Sequence, residues 1–198
     1  MDELRLAALL SSRLCHDVIG PASAVVNGLE LVESEGGLDA EAMAMIESSA
    51  QQISSRLQFY RAAYGVAAGL GMRDAHRIAT VFLAGGKVTL DWPESALPAD
   101  APDGAAKLAL NLILLGVDLL GRGGRLVVGA KARSLAVTTE GEPTRLDELA
   151  LAGADAAAQG TMTPRTVQPF YVARLAAALG GRFAAAPGPG RVNLTVTI

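Results

Sequence analysis

The 198-residue chain is 51% hydrophobic and 19% charged, and its formal net charge is -3. This length accommodates one ordinary domain or two small ones. The acidic balance argues against nucleic-acid binding, which usually involves a basic patch. We expect no membrane association, because the chain lacks a polybasic run and its most apolar stretch, residues 105–121, includes Lys107 and Asp118. The single cysteine, Cys15, and the acidic N-terminal stretch predict a cytoplasmic protein without a secretory signal.

Apolar residues recur every three or four positions from Leu4 to about Glu33, and again from Met43 to Tyr64. This spacing predicts two long helices that form an antiparallel hairpin. A lone hairpin leaves apolar surface uncovered, so we expect a second copy of the chain to complete a dimeric four-helix bundle. The alternative is that the second half of the same chain packs onto the hairpin and no dimer forms.

Beyond the hairpin, helix-like and strand-like segments alternate. We predict helices at 72–85, 103–124 and 167–181, and strands at 87–92, 125–131, 134–140, 182–187 and 191–198. Helices that cover one face of a mostly antiparallel sheet make an α/β sandwich, so the expected fold class is α+β. The predicted domains are residues 1–68, the helical hairpin, and residues 69–198, the sandwich.

A histidine and an aspartate, His16 and Asp17, are adjacent in the first helix. At about 100° per residue, His16 lies across the helix from Leu14 and Val18 and therefore faces solvent. An exposed imidazole can attack phosphorus through one ring nitrogen while the other holds a proton that a carboxylate orients. On position alone, an ordinary surface histidine is the alternative. A metal site is not expected, because consecutive helical side chains do not converge.

The string "HDVIGP", which covers residues 16–21, resembles the H-box of sensor histidine kinases. In that motif the phosphorylated histidine is followed by an acidic residue and, five positions on, by proline. Gly20 departs from the polar residue that kinases usually carry. The longer string "LCHDVIGPASAVVNGLELVE" resembles the ChpT-type histidine phosphotransferases, which join a kinase-like dimerisation domain to a degenerate kinase-like ATPase domain. The resemblance covers nearly the whole chain.

Three positions in the second half depart from the nucleotide site of a kinase ATPase domain. Asn111 fits the first asparagine of the N-box, but Leu115 stands at the second, and leucine cannot ligate magnesium. Thr139 replaces the adenine-binding aspartate, and residues 164–171 contain no glycine to wrap phosphates. We therefore expect this chain to bind no nucleotide, cofactor or metal.

The resemblance implies a phosphorelay intermediate. His16 would accept a phosphoryl group from the aspartyl phosphate of one response-regulator receiver domain and pass it to the aspartate of another. Asp17 would orient or accept the ring proton, and the receiver would supply Mg²⁺. We expect the partners to include the receiver domain of a hybrid histidine kinase. The alternatives are a divergent histidine kinase and a non-catalytic adaptor that binds receivers.

The predicted docking surface lies on the first helix around His16. Its candidate contacts are Arg13, Gly20, Pro21, Ser23, Ala24 and Asn27. Pro21 lacks a backbone N–H, so it should leave a carbonyl near position 17 free and reshape the helix surface. On the second helix, Arg56 and Arg61 either face acidic receiver surfaces or are solvated.

Overall fold

The computed structural model of the protein describes residues 1–34, 40–66, 69–131 and 133–198. Residue 68, the last of the predicted hairpin domain, lies outside the described residues. The last described helix before this position ends at Tyr64, and the next begins at Met72.

The two long helices predicted for the first domain are present. Helix α1 spans Glu3–Ser34 and helix α2 spans Ala40–Tyr64. Asp2 precedes the first turn of α1, and its Oδ1 accepts a hydrogen bond from the backbone N–H of Arg5 at 2.7 Å. A Cβ on Gly28 of α1 would lie 2.6 Å from Cγ1 of Ile46 in α2. Glycine at this position therefore permits the close approach of the two helices.

The second domain is a five-stranded sheet with helices, and its strand order is β1-β2-β3-β5-β4. Among the described strands, β1 and β2 pair in parallel and the other three pairings are antiparallel, which confirms the predicted mostly antiparallel sheet. The bounds are α3 Met72–Leu83, β1 Val88–Asp91, α4 Ala105–Leu119, β2 Gly124–Lys131, β3 Ser134–Glu140, α5 Ala156–Thr161, α6 Gln168–Ala178, β4 Arg182–Gly188 and β5 Arg191–Thr197. Short 3-10 segments at Glu94–Ala96 and Leu146–Gly153 and helix α5 were not among the predicted elements.

Helix α4 is the centre of the core. It contacts α2, α3 and α6 as well as strands β2 and β3, which explains why nearly all its side chains are apolar and buried. A Cβ on Gly116 would lie 2.7 Å from Cδ2 of Leu126 in β2, so glycine lets the helix lie close to the sheet. Buried residues alternate along β3 and β5, as expected for a sheet with one face on the core.

The C-terminal domain covers one end of the hairpin. Leu10 of α1 packs against Val167 and Tyr171, and Phe59 and Tyr60 of α2 belong to the main core of the C-terminal domain. The part of the alternative reading in which the second half of the chain packs onto the hairpin therefore applies to this end.

Apolar side chains farther along the hairpin are exposed in the described part of the chain. Val26 and Leu29 are 53% and 51% exposed, and Ile19 and Met45 are also exposed. Within the described part of the chain, no helix combines the length and apolar character that a membrane-spanning segment requires.

Candidate functional site

His16 lies on α1 with 58% of its side chain exposed, and a carboxylate fixes one of its ring nitrogens. Its Nδ1 is 3.1 Å from Oδ1 of Asp17. The other oxygen of this carboxylate accepts a hydrogen bond from the hydroxyl of Tyr60 on α2. An ionised carboxylate only accepts hydrogen bonds, so the proton of the neutral ring belongs on Nδ1. The lone pair is then on Nε2, which points away from Asp17.

Tyr60 is suited to hold Asp17 because it stays protonated. Burial raises the pKa of Tyr60, and the negative charge of Asp17 raises it further. The hydroxyl therefore remains a hydrogen-bond donor, and its ring is almost completely buried in the core. The carboxylate beside His16 is thus fixed from the inside of the molecule.

The proline in α1 has the expected consequence for the backbone. The helix continues through Pro21, which has no N–H to donate to the carbonyl of Asp17 four residues earlier. Arg56 of α2 donates from Nη1 to this carbonyl at 3.1 Å. Arg56 therefore acts within the chain, while Arg61 is exposed.

A residue from the C-terminal domain approaches the free nitrogen of His16. Nη2 of Arg165 lies 3.2 Å from Nε2 of His16. Arg165 occupies a turn before α6 in which the N–H of Thr166 donates to the carbonyl of Thr163 at 3.0 Å. This geometry fits the assigned tautomer, since a guanidinium donates and the unprotonated Nε2 accepts.

The prediction that Arg13 contacts a receiver is wrong. Arg13 is only 5% exposed, and its Nη2 donates to both carboxylate oxygens of Asp118 in α4 at 2.7 and 2.8 Å. Burial raises the pKa of Asp118, and the Arg13 charge opposes that rise. Arg13 lies three residues after Leu10, so it shares the face of α1 that packs on the C-terminal domain.

The other predicted docking residues remain accessible to different degrees. Gly20, Ser23 and Asn27 are exposed, whereas Pro21 and Ala24 are partly buried. Their contact with a receiver stays a prediction.

An open cleft of about 610 Å³ separates α1 from the C-terminal domain at the level of His16. It is lined by Ser12, Arg13, His16, Asp17, Asp118, Arg145, Thr163, Pro164 and Arg165. Sequence reasoning missed Arg145 and Arg165, because neither belongs to a motif near His16 in the chain. The one available signal was the Thr-Pro-Arg-Thr string, which indicates a turn.

The three residues that align with the nucleotide-binding positions of a kinase ATPase domain are buried in the core. Asn111 is fully buried and donates to the carbonyl of Ala63 at 2.8 Å. Leu115 is buried among apolar side chains. Thr139 is fully buried, and its Oγ1 accepts a hydrogen bond from the N–H of Val192 at 2.8 Å. Their side chains face the core of the domain.

A histidine paired with a carboxylate, carried by a helical hairpin on an α/β sandwich, defines a class of proteins that accept a phosphoryl group on histidine. A family model described as the histidine phosphotransferase C-terminal domain matches residues 72–190. The protein phosphotransferase ChpT of Brucella abortus (strain 2308) is 38% identical over 189 residues, which cover 91% of this chain and 89% of that protein.

A bacterial phosphotransferase of known structure superposes with a TM-score of 0.83 at 34% identity, covering 99% of this chain and 97% of that one. The chain therefore belongs to the histidine phosphotransferase family. This assignment confirms the resemblance drawn from the string around His16.

Proposed function

We propose that His16 relays a phosphoryl group between receiver-domain aspartates and that this chain uses no ATP. The observation that carries the proposal is the exposed side chain of His16, whose Nδ1 is held by Asp17 and, through Asp17, by Tyr60. Receiver domains, including that of a hybrid histidine kinase, are the proposed donor and acceptors.

The proposed step forms one bond and breaks another. The Nε2 lone pair attacks phosphorus, the bond between phosphorus and the receiver carboxylate breaks, and its electron pair stays on that carboxylate. The proton on Nδ1 remains in place, so the ring becomes positively charged and Asp17 offsets that charge. The reverse step returns the phosphoryl group to a second receiver.

We propose that the receiver domain, and not this chain, binds the Mg²⁺ that the transfer requires. Phosphoryl transfer requires mainly in-line positioning and neutralisation of charge on the equatorial oxygens. The buried Asn111, Leu115 and Thr139 support the absence of a nucleotide site, because nucleotide binding would require side chains that face an open pocket. We place the receiver on the exposed part of α1 after His16, at Gly20, Ser23 and Asn27.

We further propose that two copies of the chain form a four-helix bundle through the exposed apolar side chains of the hairpin. Val26 and Leu29 are three positions apart and lie on one face of α1. Both are more than half exposed, and burying them against a second copy would remove apolar surface from water.

The relay is tested by mixing the chain with a phosphorylated receiver and no nucleotide. We expect acid-labile phosphate on His16, its transfer to a second receiver, and complete loss of both in His16→Gln. Labelling by ATP alone would instead identify a divergent kinase. A His16→Ala variant that still binds receivers and keeps full function in cells would instead identify a non-catalytic adaptor.

The dimer is tested by sedimentation at several protein concentrations. We expect Leu29→Glu to shift the protein from dimer to monomer, because a carboxylate would be buried without a partner. Leu4→Glu is the matched control, since Leu4 is 84% exposed and lies at the covered end of the hairpin. A wild-type chain that sediments as a monomer would contradict the proposed bundle.

A further inference from the structure

We propose that Arg165 of the C-terminal domain binds the phosphoryl group carried by His16 and stabilises the phosphorylated state. This inference rests on the proposed function, because it concerns the same nitrogen of His16. It gives the C-terminal domain a direct part in the phosphorylated state.

The geometry places the guanidinium next to the position that a phosphoryl group would take, so a small outward shift of the side chain would let it bind the phosphoryl oxygens. Nη2 of Arg165 is 3.2 Å from Nε2 of His16, the nitrogen that would bond to phosphorus. Once that bond forms, Nε2 no longer accepts a hydrogen bond. The nearest acceptors for Arg165 are then the phosphoryl oxygens, which a planar guanidinium can bind through two parallel hydrogen bonds.

Charge distinguishes Arg165 from the other arginines of the cleft. Arg13 is paired with Asp118, and Arg145 is paired with Glu148 at 2.8 Å. Among the described residues, no carboxylate forms an ion pair with Arg165. Arg165 is therefore the cleft arginine whose charge is available to an incoming anion.

Hydrogen bonds hold the backbone around Arg165 in a defined turn. The N–H of Thr163 donates to Oγ1 of Thr166 at 2.9 Å across the turn, and Arg145 donates to the carbonyl of Arg165 at 3.4 Å. Val167 and Gln168, two and three positions after Arg165, are fully buried. The turn thus positions Arg165 relative to α1 without help from a ligand.

A cation is needed at this place once phosphate arrives. The phosphoryl group brings negative charge close to the carboxylate of Asp17, and like charges at short range disfavour the phosphorylated state. Arg165 offsets this repulsion. Because the side chain is exposed, water screens part of the attraction, and we expect a change of about tenfold in equilibrium.

The experiment measures how phosphate is partitioned at equilibrium between a receiver and the full-length chain. We expect Arg165→Ala to lower the ratio of phosphorylated chain to phosphorylated receiver about tenfold, and Arg165→Lys to lower it less. Arg174→Ala is the matched control, because Arg174 is an exposed arginine of α6 that does not line the cleft. The control should leave the ratio unchanged.

The equilibrium ratio separates phosphoryl binding from receiver docking. With both proteins well below the dissociation constant of their complex, docking alone alters the rate of transfer but not the partition between the free phosphorylated proteins. A slower transfer with an unchanged ratio in Arg165→Ala would therefore overturn the proposal.

A second measurement does not depend on receivers. Phosphoramidate can phosphorylate histidine directly, and His16→Gln identifies the His16 resonance in the phosphorus NMR spectrum. We expect this resonance to shift in Arg165→Ala and not in Arg174→Ala. If receivers fail to label His16, the proposed function fails while this measurement still tests Arg165. An identical resonance in wild type and Arg165→Ala would overturn the inference.

Discussion

Two hydrogen-bonded networks connect α2 to the C-terminal domain, and they differ in where they end. The first is closed. The Tyr64 hydroxyl donates to Oε1 of Gln168 at 2.9 Å, Nε2 of Gln168 donates to Oδ1 of Asn111 at 3.0 Å, and Nδ2 of Asn111 donates to the Ala63 carbonyl. The side chains of Asn111 and Gln168 are fully buried, and such groups require hydrogen-bond partners in the interior.

The second network is open. It starts at Tyr60, one helical turn before Tyr64, and passes through Asp17 to His16 and Arg165. It ends at an exposed imidazole nitrogen beside an exposed guanidinium. Similar polar side chains therefore stabilise the fold where all their hydrogen-bonding groups have partners inside the protein. They are available for chemistry where the network ends at a side chain that faces solvent.

The largest change in the free energy of unfolding is expected when the ion pair between Arg13 and Asp118, which lies between the two networks, is broken. Asp118→Ala would leave the buried Arg13 guanidinium without its carboxylate, and Nε and Nη1 of Arg13 have no other partner among the described residues. We expect the free energy of unfolding to fall by about 3 kcal/mol. The measurement is urea denaturation at one fixed protein concentration.

A double variant provides the control for this prediction. Arg13→Met with Asp118→Leu removes both charges and should recover most of the lost stability, since apolar residues can replace a buried pair. A loss below about 1 kcal/mol in Asp118→Ala alone would show that the pair behaves like a surface ion pair.

Much of the fold could be predicted from the sequence because its elements have clear periods. The stripe of α1 and α2 and the continuous apolar run of α4 indicated helices at the observed places. Residues 144–166 have no such period, and the segments Leu146–Gly153 and Ala156–Thr161 were missed. The segment Leu146–Gly153 packs against α6, whereas Ala156–Thr161 has no buried residue and is capped by Asp155.

The part of the site formed by residues close together in sequence could be predicted, and the part formed by distant residues could not. His16 and Asp17 are adjacent in sequence. Pro21 indicates that the carbonyl of Asp17, four residues earlier, lacks its helical hydrogen-bond donor. Arg165 is 149 positions from His16, and only tertiary structure brings the two together. Arg13 was assigned to the docking surface because it lies close to His16 on α1, and only tertiary structure shows that Asp118 is its partner.

Two tyrosines provide a matched test of the two networks. Tyr60→Phe removes the donor that holds Asp17, so we expect the rate of phosphoryl transfer from a receiver to fall about tenfold, because the tautomer of His16 is less well fixed. Stability should fall by about 1 kcal/mol. Tyr64→Phe makes the same chemical change one turn later and should lower stability without slowing transfer. Equal rates in the two variants would remove the functional distinction between the networks.

The smallest change in the free energy of unfolding is expected when the hydrogen bond from Arg56 to the carbonyl of Asp17 is removed. This carbonyl is partly accessible to water, so Arg56→Met should cost about 0.5 kcal/mol of unfolding free energy. In a Pro21→Ala background, the restored N–H of residue 21 would satisfy the carbonyl through the ordinary helical bond. The cost of Arg56→Met should then disappear, and a double-mutant cycle by urea denaturation would measure the difference as coupling. Equal costs in both backgrounds would mean that Arg56 stabilises α1 by packing and not by replacing the bond that proline removes.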